Sequence, residues 1–163
     1  MLAASMQQSF APAYDRTEAL QSAGAVPPRG SADVLVAASH IQPDDHVKVI
    51  GRSVANHLVA LARCGCGSAT SVHPGALFSQ RQKADVVWVI GADDIQTVMA
   101  GALRASGAPR VVAIELPLGA EWGRLQPVIS QLAGLGLVSC TTHDVAGRLI
   151  VVASRPAWLQ RVI

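Results

Sequence analysis

The sequence predicts a three-layer α/β domain: a doubly wound, mostly parallel sheet of about six strands that ends in an antiparallel hairpin. Three observations favour this fold. Short runs rich in Val and Ile alternate with segments whose apolar residues recur at helical spacing. Half of the 163 residues are hydrophobic but only 4% are aromatic, which suits strands buried on both faces. Near the end, a short turn sequence alone separates two β-rich segments.

Helices and strands are expected to alternate from residue 31 onward. Ser31, Ser53 and either Asp93 or Asp94 stand where helices should begin, so each is a candidate N-cap. Strands separated by helices favour parallel pairing with right-handed crossovers. In chain order we predict helix 31–40, strand 47–51, helix 54–64, strand 69–72, strand 84–91, helix 95–106, strand 110–116, helix 122–135, and strands 137–143 and 148–154 joined at 144–147.

Two terminal segments have a different character. Prolines interrupt residues 1–30, which predicts an N-terminal arm or lead-in segment before a single domain over residues 31–163. Beyond the hairpin, residues 158–163 form a short apolar tail that begins with Trp158. Because apolar surface of this kind is usually covered, the tail predicts a homodimer interface.

Composition argues against several kinds of partner. The net charge is only +2 and the basic residues are scattered, so no nucleic-acid surface is expected. Apolar runs are short, which argues against a membrane span, and the N-terminus is a poor signal peptide. Two of the three cysteines form Cys64-Gly65-Cys66 without a second pair at zinc spacing. We therefore predict no metal site and a reducing, cytoplasmic location.

The residues that could carry chemistry follow the predicted strands. In open α/β sheets, ligands bind outside the carboxyl ends of the strands, near the point where the strand order reverses. This rule selects the segments Gly51–Ser53, His73–Gly75 and Gly91–Asp94. Ser53 either meets an anion or hydroxyl or only caps its helix. Asp93 and Asp94 either act as a base, hold a polar substrate or cap the next helix; capping is the commoner role.

Two further polar residues have alternative interpretations. His73 either contacts a ligand as a proton carrier or is a solvated loop histidine, which is the more common case. Glu115 ends a strand just before Pro117 and either reaches the same edge or pairs on the surface with Arg110 or Arg124. Cys140 is expected to be a small core residue of its strand.

Two segments resemble class I S-adenosylmethionine-dependent methyltransferases. Residues 32–51 are similar to that family's helix, its turn (here Pro43-Asp44-Asp45) and its first strand. The final strand, helix and hairpin are similar to the antiparallel end of the same Rossmann-like fold, so the resemblance covers residues 31–156. It implies an S-adenosylmethionine site with Asp93 as the polar catalytic contact. The implied cofactor residues are Gly51, Arg52, Ser53, His73, Gly91 and Ala92.

The chain departs from this pattern at three places. Only Gly51 remains of the glycines expected in the first loop, and His73 stands where an acid normally holds the ribose. The connection over residues 74–83 is too short for a further strand and helix. These departures favour a non-catalytic binding module over the alternative, an active small methyltransferase with a nucleoside-type ligand. A nucleotide-binding Rossmann domain of another class is the third hypothesis, and the absence of Gly-x-Gly-x-x-Gly disfavours it.

Overall fold

A computed structural model describes residues 30–76, 82–117, 119 and 122–156. All of the predicted arm over residues 1–30 except Gly30, and the apolar tail around Trp158, lie outside the described residues, so the expected dimer interface stays a prediction. Within the described part, no helix is long and apolar enough to cross a membrane.

Four helices and six strands alternate along the described chain. Their bounds are α1 Ser31–Ser39, β1 His46–Gly51, α2 Ala55–Arg63, β2 Ser68–Val72, β3 Val86–Ile90, α3 Ile95–Ser106, β4 Val111–Pro117, α4 Trp122–Gly134, β5 Ser139–Val145 and β6 Arg148–Ser154. The strands form one sheet in the order β2-β1-β3-β4-β6-β5. The first four strands pair in parallel, and β6 is antiparallel to both β4 and β5. The predicted fold class is confirmed.

Helices cover both faces of the central strands. One face packs against α1 and α2, where Leu35, Leu61 and Trp88 are fully buried. The other face packs against α3 and α4, with Met99 and Leu132 at its centre. Because β3 and β4 lie between two apolar layers, they are continuous apolar runs, as buried parallel strands require.

A buried hydrogen bond joins α1 to the centre of the sheet. The indole Nε1 of Trp88 donates a hydrogen bond of 2.9 Å to the hydroxyl of Ser39, and both side chains are buried. Without that hydroxyl the indole N–H would be a buried donor with no acceptor, which costs about 1–3 kcal/mol. Ser39 therefore fixes the end of α1 against the centre of the sheet.

The amino edge of the sheet is held by a buried ion pair. The guanidinium of Arg110, just before β4, binds both carboxylate oxygens of Asp45 and also donates to the carbonyl of His40 at 3.0 Å. Asp45 in turn accepts from the backbone N–H of Gln42 at 2.6 Å. The pair joins the α1–β1 turn to the start of β4, although these segments are far apart in sequence.

A buried lysine joins β1 to the α3 side of the sheet near the same edge. Lys48 lies in β1 with 1% of its surface exposed, and its Nζ donates to the carbonyls of Gln82 at 2.5 Å and Ala105 at 3.4 Å. Burial lowers the pKa of this ammonium. The Ala105 carbonyl belongs to the last turn of α3, where a cation is also favoured by the helix dipole. Nothing in the strand pattern predicted this role.

Two predicted N-caps are wrong by one residue. The N-cap of α1 is Gly30, and that of α2 is Val54; neither makes a side-chain capping bond. Ser31 lies inside the first turn of α1, where its hydroxyl hydrogen-bonds Glu115. Ser53 precedes the cap and is exposed, so the capping role expected for it is not found. For α3 the capping prediction is confirmed with Asp94.

The hairpin differs in detail from the prediction. Strand β5 begins two residues later than expected and pairs through Val145, so the connection is the two-residue turn Ala146-Gly147. Both turn residues have positive φ, 47° and 76°, as a tight hairpin turn requires. Cys140 is exposed rather than buried, because β5 is an edge strand whose side chains stay accessible on both faces. The core prediction for this cysteine is therefore wrong.

Candidate functional site

The strand order predicts a crevice at the carboxyl ends of β1 and β3. The chain leaves β1 towards β2 on one side and returns to β3 on the other, so the order reverses between these two strands. Register brings Gly51 beside Ile90, and Ile90 beside Glu115, at the carboxyl ends of three adjacent strands. This is the position where open α/β sheets bind ligands. The loops at 51–53 and 91–94 therefore border the same crevice.

The two glycines of this edge have different surroundings. A Cβ on Gly51 would lie 2.8 Å from the carbonyl oxygen of Ile90 and 3.0 Å from a methyl carbon of Val54. Close strand packing thus accounts for the glycine without a ligand. Gly91 has a positive φ of 57° and no heavy atom within 4 Å of the Cβ position. Its N–H donates to the Glu115 carbonyl at 3.1 Å, which fixes the loop as it leaves β3.

An exposed ion pair bridges the two loops. Arg52 follows Gly51, and its guanidinium lies 3.5 Å from a carboxylate oxygen of Asp93 in the β3–α3 loop. The two side chains are 72% and 84% exposed, so water screens the pair. Between them, Ala92 is partly buried and packs against the α3–α4 layer. Arg52 and Asp93 thus meet beside Ala92, while Ser53 is exposed, and a ligand site at these residues stays a prediction.

The remaining predicted residues stand apart from this bridge. His73 follows β2, the strand beyond β1, and is exposed; its Nδ1 accepts a hydrogen bond of 3.2 Å from the N–H of Gly75. Asp94 caps α3 by accepting from the N–H of Thr97 at 3.2 Å. Hydrogen bonds from the side chain and the backbone of Thr97 lower the pKa of Asp94. His73 and Asp94 therefore have local roles that need no ligand.

A buried acid–histidine pair lies behind the crevice, and the sequence reasoning did not find it. His57 of α2 contacts Glu115 at the end of β4, with 2.8 Å between Nε2 and Oε2. The two side chains are 8% and 4% exposed. The ring of His57 also stands edge-on to Trp88 with 6.3 Å between centroids. The sequence offered two signals of this pair: a polar residue in the first turn of an amphipathic helix, and an acid at the end of an apolar strand.

The charge on Glu115 is stabilised by several groups. Burial by itself would raise the pKa of this carboxyl, but the hydrogen bond and charge of His57, the hydroxyl of Ser31 and the charge of Arg148 lower the pKa below 4.5 overall. The Nε of Arg148 lies 3.7 Å from Oε1. The predicted surface pairing with Arg110 is wrong, because Arg110 binds Asp45 at the other edge of the sheet. The side chain of Arg124 lies outside the described residues.

Within the residues that the structure describes, no three His, Cys, Asp or Glu side chains are grouped so that they could hold a metal ion. Cys64 and Cys66 are both free thiols. The thiol of Cys64 donates to the carbonyl of Leu61 at 3.1 Å, and that of Cys66 to Ser68 at 3.3 Å. Each sulfur thus has a backbone partner.

The chain is similar in structure to several solved proteins. TrmN from Thermus thermophilus superposes with a TM-score of 0.56 and 10% identity, over 77% of this chain and 48% of that one. The ribosomal protein L11 methylase from Lactobacillus delbrueckii subsp. bulgaricus gives 0.57 and 12%, over 76% of both chains. The methyltransferase domain of bacterial CtHen1-CN gives 0.51 and 11%, over 76% of this chain and 96% of that one.

This chain has the Rossmann-like fold of the class I methyltransferases. The fold resemblance seen in the sequence is therefore confirmed, and identities near a tenth extend it no further than the fold. The chain spans about half the length of TrmN. No protein-family model matches the sequence, and no curated protein matches it.

Proposed function

We propose that this chain is a methyltransferase-fold binding module that does not transfer methyl groups from S-adenosylmethionine. The observation that carries the proposal is the Arg52–Asp93 ion pair across the crevice between β1 and β3. In this fold a ligand bound where the strand order reverses lies against the loops that these two residues occupy. The long Arg52 side chain takes space that a glycine would leave to the ligand.

The other residues of the edge fit S-adenosylmethionine poorly. The backbone of Ile90 occupies the space beside Gly51, so this space is not open to a ligand. His73 offers at most one acceptor nitrogen where an acid would offer two oxygens to a ribose, and its Nδ1 already accepts from Gly75. The residues of this edge therefore do not fit S-adenosylmethionine, and Asp93 serves as a partner of Arg52 rather than as a catalytic group.

Calorimetric titration with S-adenosylmethionine and its demethylated product tests the proposal. We expect no saturable heat and no rise in melting temperature, since a ligand at 100 times its dissociation constant would stabilise the fold by about 2.7 kcal/mol. An L11 methylase titrated in parallel provides the positive control. Saturable binding, together with methyl transfer to any acceptor, would contradict the proposal and support the active methyltransferase.

Two variants separate the ion pair from the rest of the edge. Arg52→Gly removes the guanidinium that crosses the crevice, while Arg104→Gly removes a similar charge from the exposed face of α3. If the ion pair is the barrier, only Arg52→Gly gains measurable affinity for S-adenosylmethionine. Gly51→Val is unsuitable as a binding test, because its side chain collides with the backbone of Ile90.

A further inference from the structure

We propose that β5 is an interface at which two copies of this chain pair edge to edge, joining their sheets into one. Strand β5 pairs with β6 on one side, and among the described residues no strand lies on the other side. Five of its seven residues are exposed and the other two are half-buried. Both faces and the outer edge of this strand are therefore accessible.

The edge has few of the features that usually prevent pairing. Exposed edge strands are generally protected by charged side chains, lysine above all, by proline or by a bulge. Strand β5 has no lysine or proline and a single charged residue, Asp144 near its end, and its pairing with β6 runs without interruption from Ser139 to Val145. Its centre is Thr141-Thr142, and β-branched residues favour extended pairing. The strand is thus open to another strand on its free side.

The sequence of β5 is compatible with an antiparallel copy of itself. Centred on Thr142, such a pair sets Cys140 opposite Asp144 and Thr141 opposite His143. No like charges face each other, whereas directly opposed like charges would destabilise the pair. A two-fold axis through Thr142 would make the interface isologous, as is usual for homodimers.

Two exposed apolar residues extend the patch beyond the strand. Val138, which directly precedes β5, is 57% exposed, and Leu135, which directly follows α4, is 46% exposed. Stable dimers bury about 1,200–2,000 Å² in total, which is more than one strand pair supplies. In the register centred on Thr142, Val138 lies opposite Ala146 of the second copy. These side chains supply the apolar area that the threonines lack.

The opposite edge of the sheet provides a control. Strand β2 is shorter, and its Ser68 and Thr70 hydroxyls contact the two ring nitrogens of His46 at 2.6 and 3.3 Å. Ser71 is exposed on the same strand. A lysine at Ser71 therefore adds the same charge to an edge strand without touching β5.

Sedimentation velocity of the full chain between 1 and 200 µM, as approximate limits, tests the proposal. We expect a dimer for the wild type and for Ser71→Lys, and at least a tenfold weaker dimer for Thr142→Lys, in which two ammonium groups would meet at the two-fold axis. Thr142→Asp should behave like Thr142→Lys, and an equimolar mixture of the two should dimerise again. Circular dichroism checks that each variant is folded.

Three results would overturn the proposal. The wild type could remain monomeric over the whole range. Thr142→Lys could dimerise as tightly as the wild type, which would place the contact elsewhere. A chain lacking residues 157–163 could become monomeric, which would assign the interface to the apolar tail. Restoration of the dimer in the mixture of opposite charges is the outcome that only pairing of β5 with itself explains.

Discussion

The two edges of the central sheet are built differently. At the amino edge, Arg110 and Asp45 form a largely buried ion pair with several hydrogen bonds, and Lys48 ties β1 to the last turn of α3. At the carboxyl edge, the ion pair of Arg52 and Asp93 is mostly in water. The contrast concerns the exposed loops alone, since the carboxyl edge also has a buried acid–histidine pair behind them, and it indicates that these loops are left open to vary.

Removing the buried pair should have the largest effect. Arg110→Ala deletes three hydrogen bonds and leaves the Asp45 carboxylate, 8% exposed, without its counter-ion. We expect a loss of about 3 kcal/mol in the free energy of unfolding, measured by urea denaturation. Arg104→Ala on the exposed face of α3 is the matched control and should change stability by less than about 0.5 kcal/mol. Equal losses in both variants would mean that the buried pair contributes no more to stability than an exposed arginine does.

Gly51→Ala tests whether the strand ends of the carboxyl edge have room for an added Cβ atom. The added Cβ would lie 2.8 Å from the Ile90 carbonyl, so we expect a loss of about 1–3 kcal/mol by thermal unfolding. Gly123→Ala in α4 meets no atom within 4 Å and should be neutral or stabilising by up to about 1 kcal/mol. If Gly51→Ala is as stable as wild type, strand packing does not explain the glycine.

Acid titration of stability tests the buried charge behind the crevice. The pKa of Glu115 is lower in the folded chain than its ordinary value of 4.5. The unfolded chain therefore takes up this proton first, and the stability that Glu115 contributes is lost as the pH falls below 4.5. Glu115→Gln should lose about 1 kcal/mol near neutral pH and show a flatter decline in acid. Identical slopes for both proteins between about pH 3 and 4.5 would contradict this account.

The smallest effect is expected at the exposed ion pair. Because water screens Arg52 and Asp93, Arg52→Ala should change the free energy of unfolding by less than about 0.5 kcal/mol. Chemical denaturation compared directly with Arg110→Ala measures the difference between the two arginines. A loss above about 1 kcal/mol would mean that this loop contributes to stability as the amino edge does.

Sequence periodicity predicted the architecture because apolar residues recur at the spacing of the buried positions in helices and strands. The apolar run in β3 and the helical spacing in α3 each fixed one element to within a few residues. Glycine and proline marked most ends. The N-caps of α1 and α2 were predicted wrongly as Ser31 and Ser53, because the backbone conformation decides which of two adjacent residues is the cap.

Contacts over long sequence distances could not be predicted in this way. The partners of Glu115 come from α1, α2 and the start of β6, and no local pattern connects these segments. The same holds for Lys48, which reaches the carbonyl of Gln82 in a loop and that of Ala105 in the last turn of α3. By contrast, Arg52 and Asp93 were both placed at one edge by a topological rule, although their direct contact was not foreseen.

The strand order has a consequence for synthesis on the ribosome. Strand β6 lies inside the sheet, between β4 and β5, yet it is translated after all the other described strands. Until residues 148–154 leave the exit tunnel, one side of β4 is unpaired and β5 has no neighbour. Nascent chains stalled before this point would expose apolar strand edges and should be the species that chaperones capture.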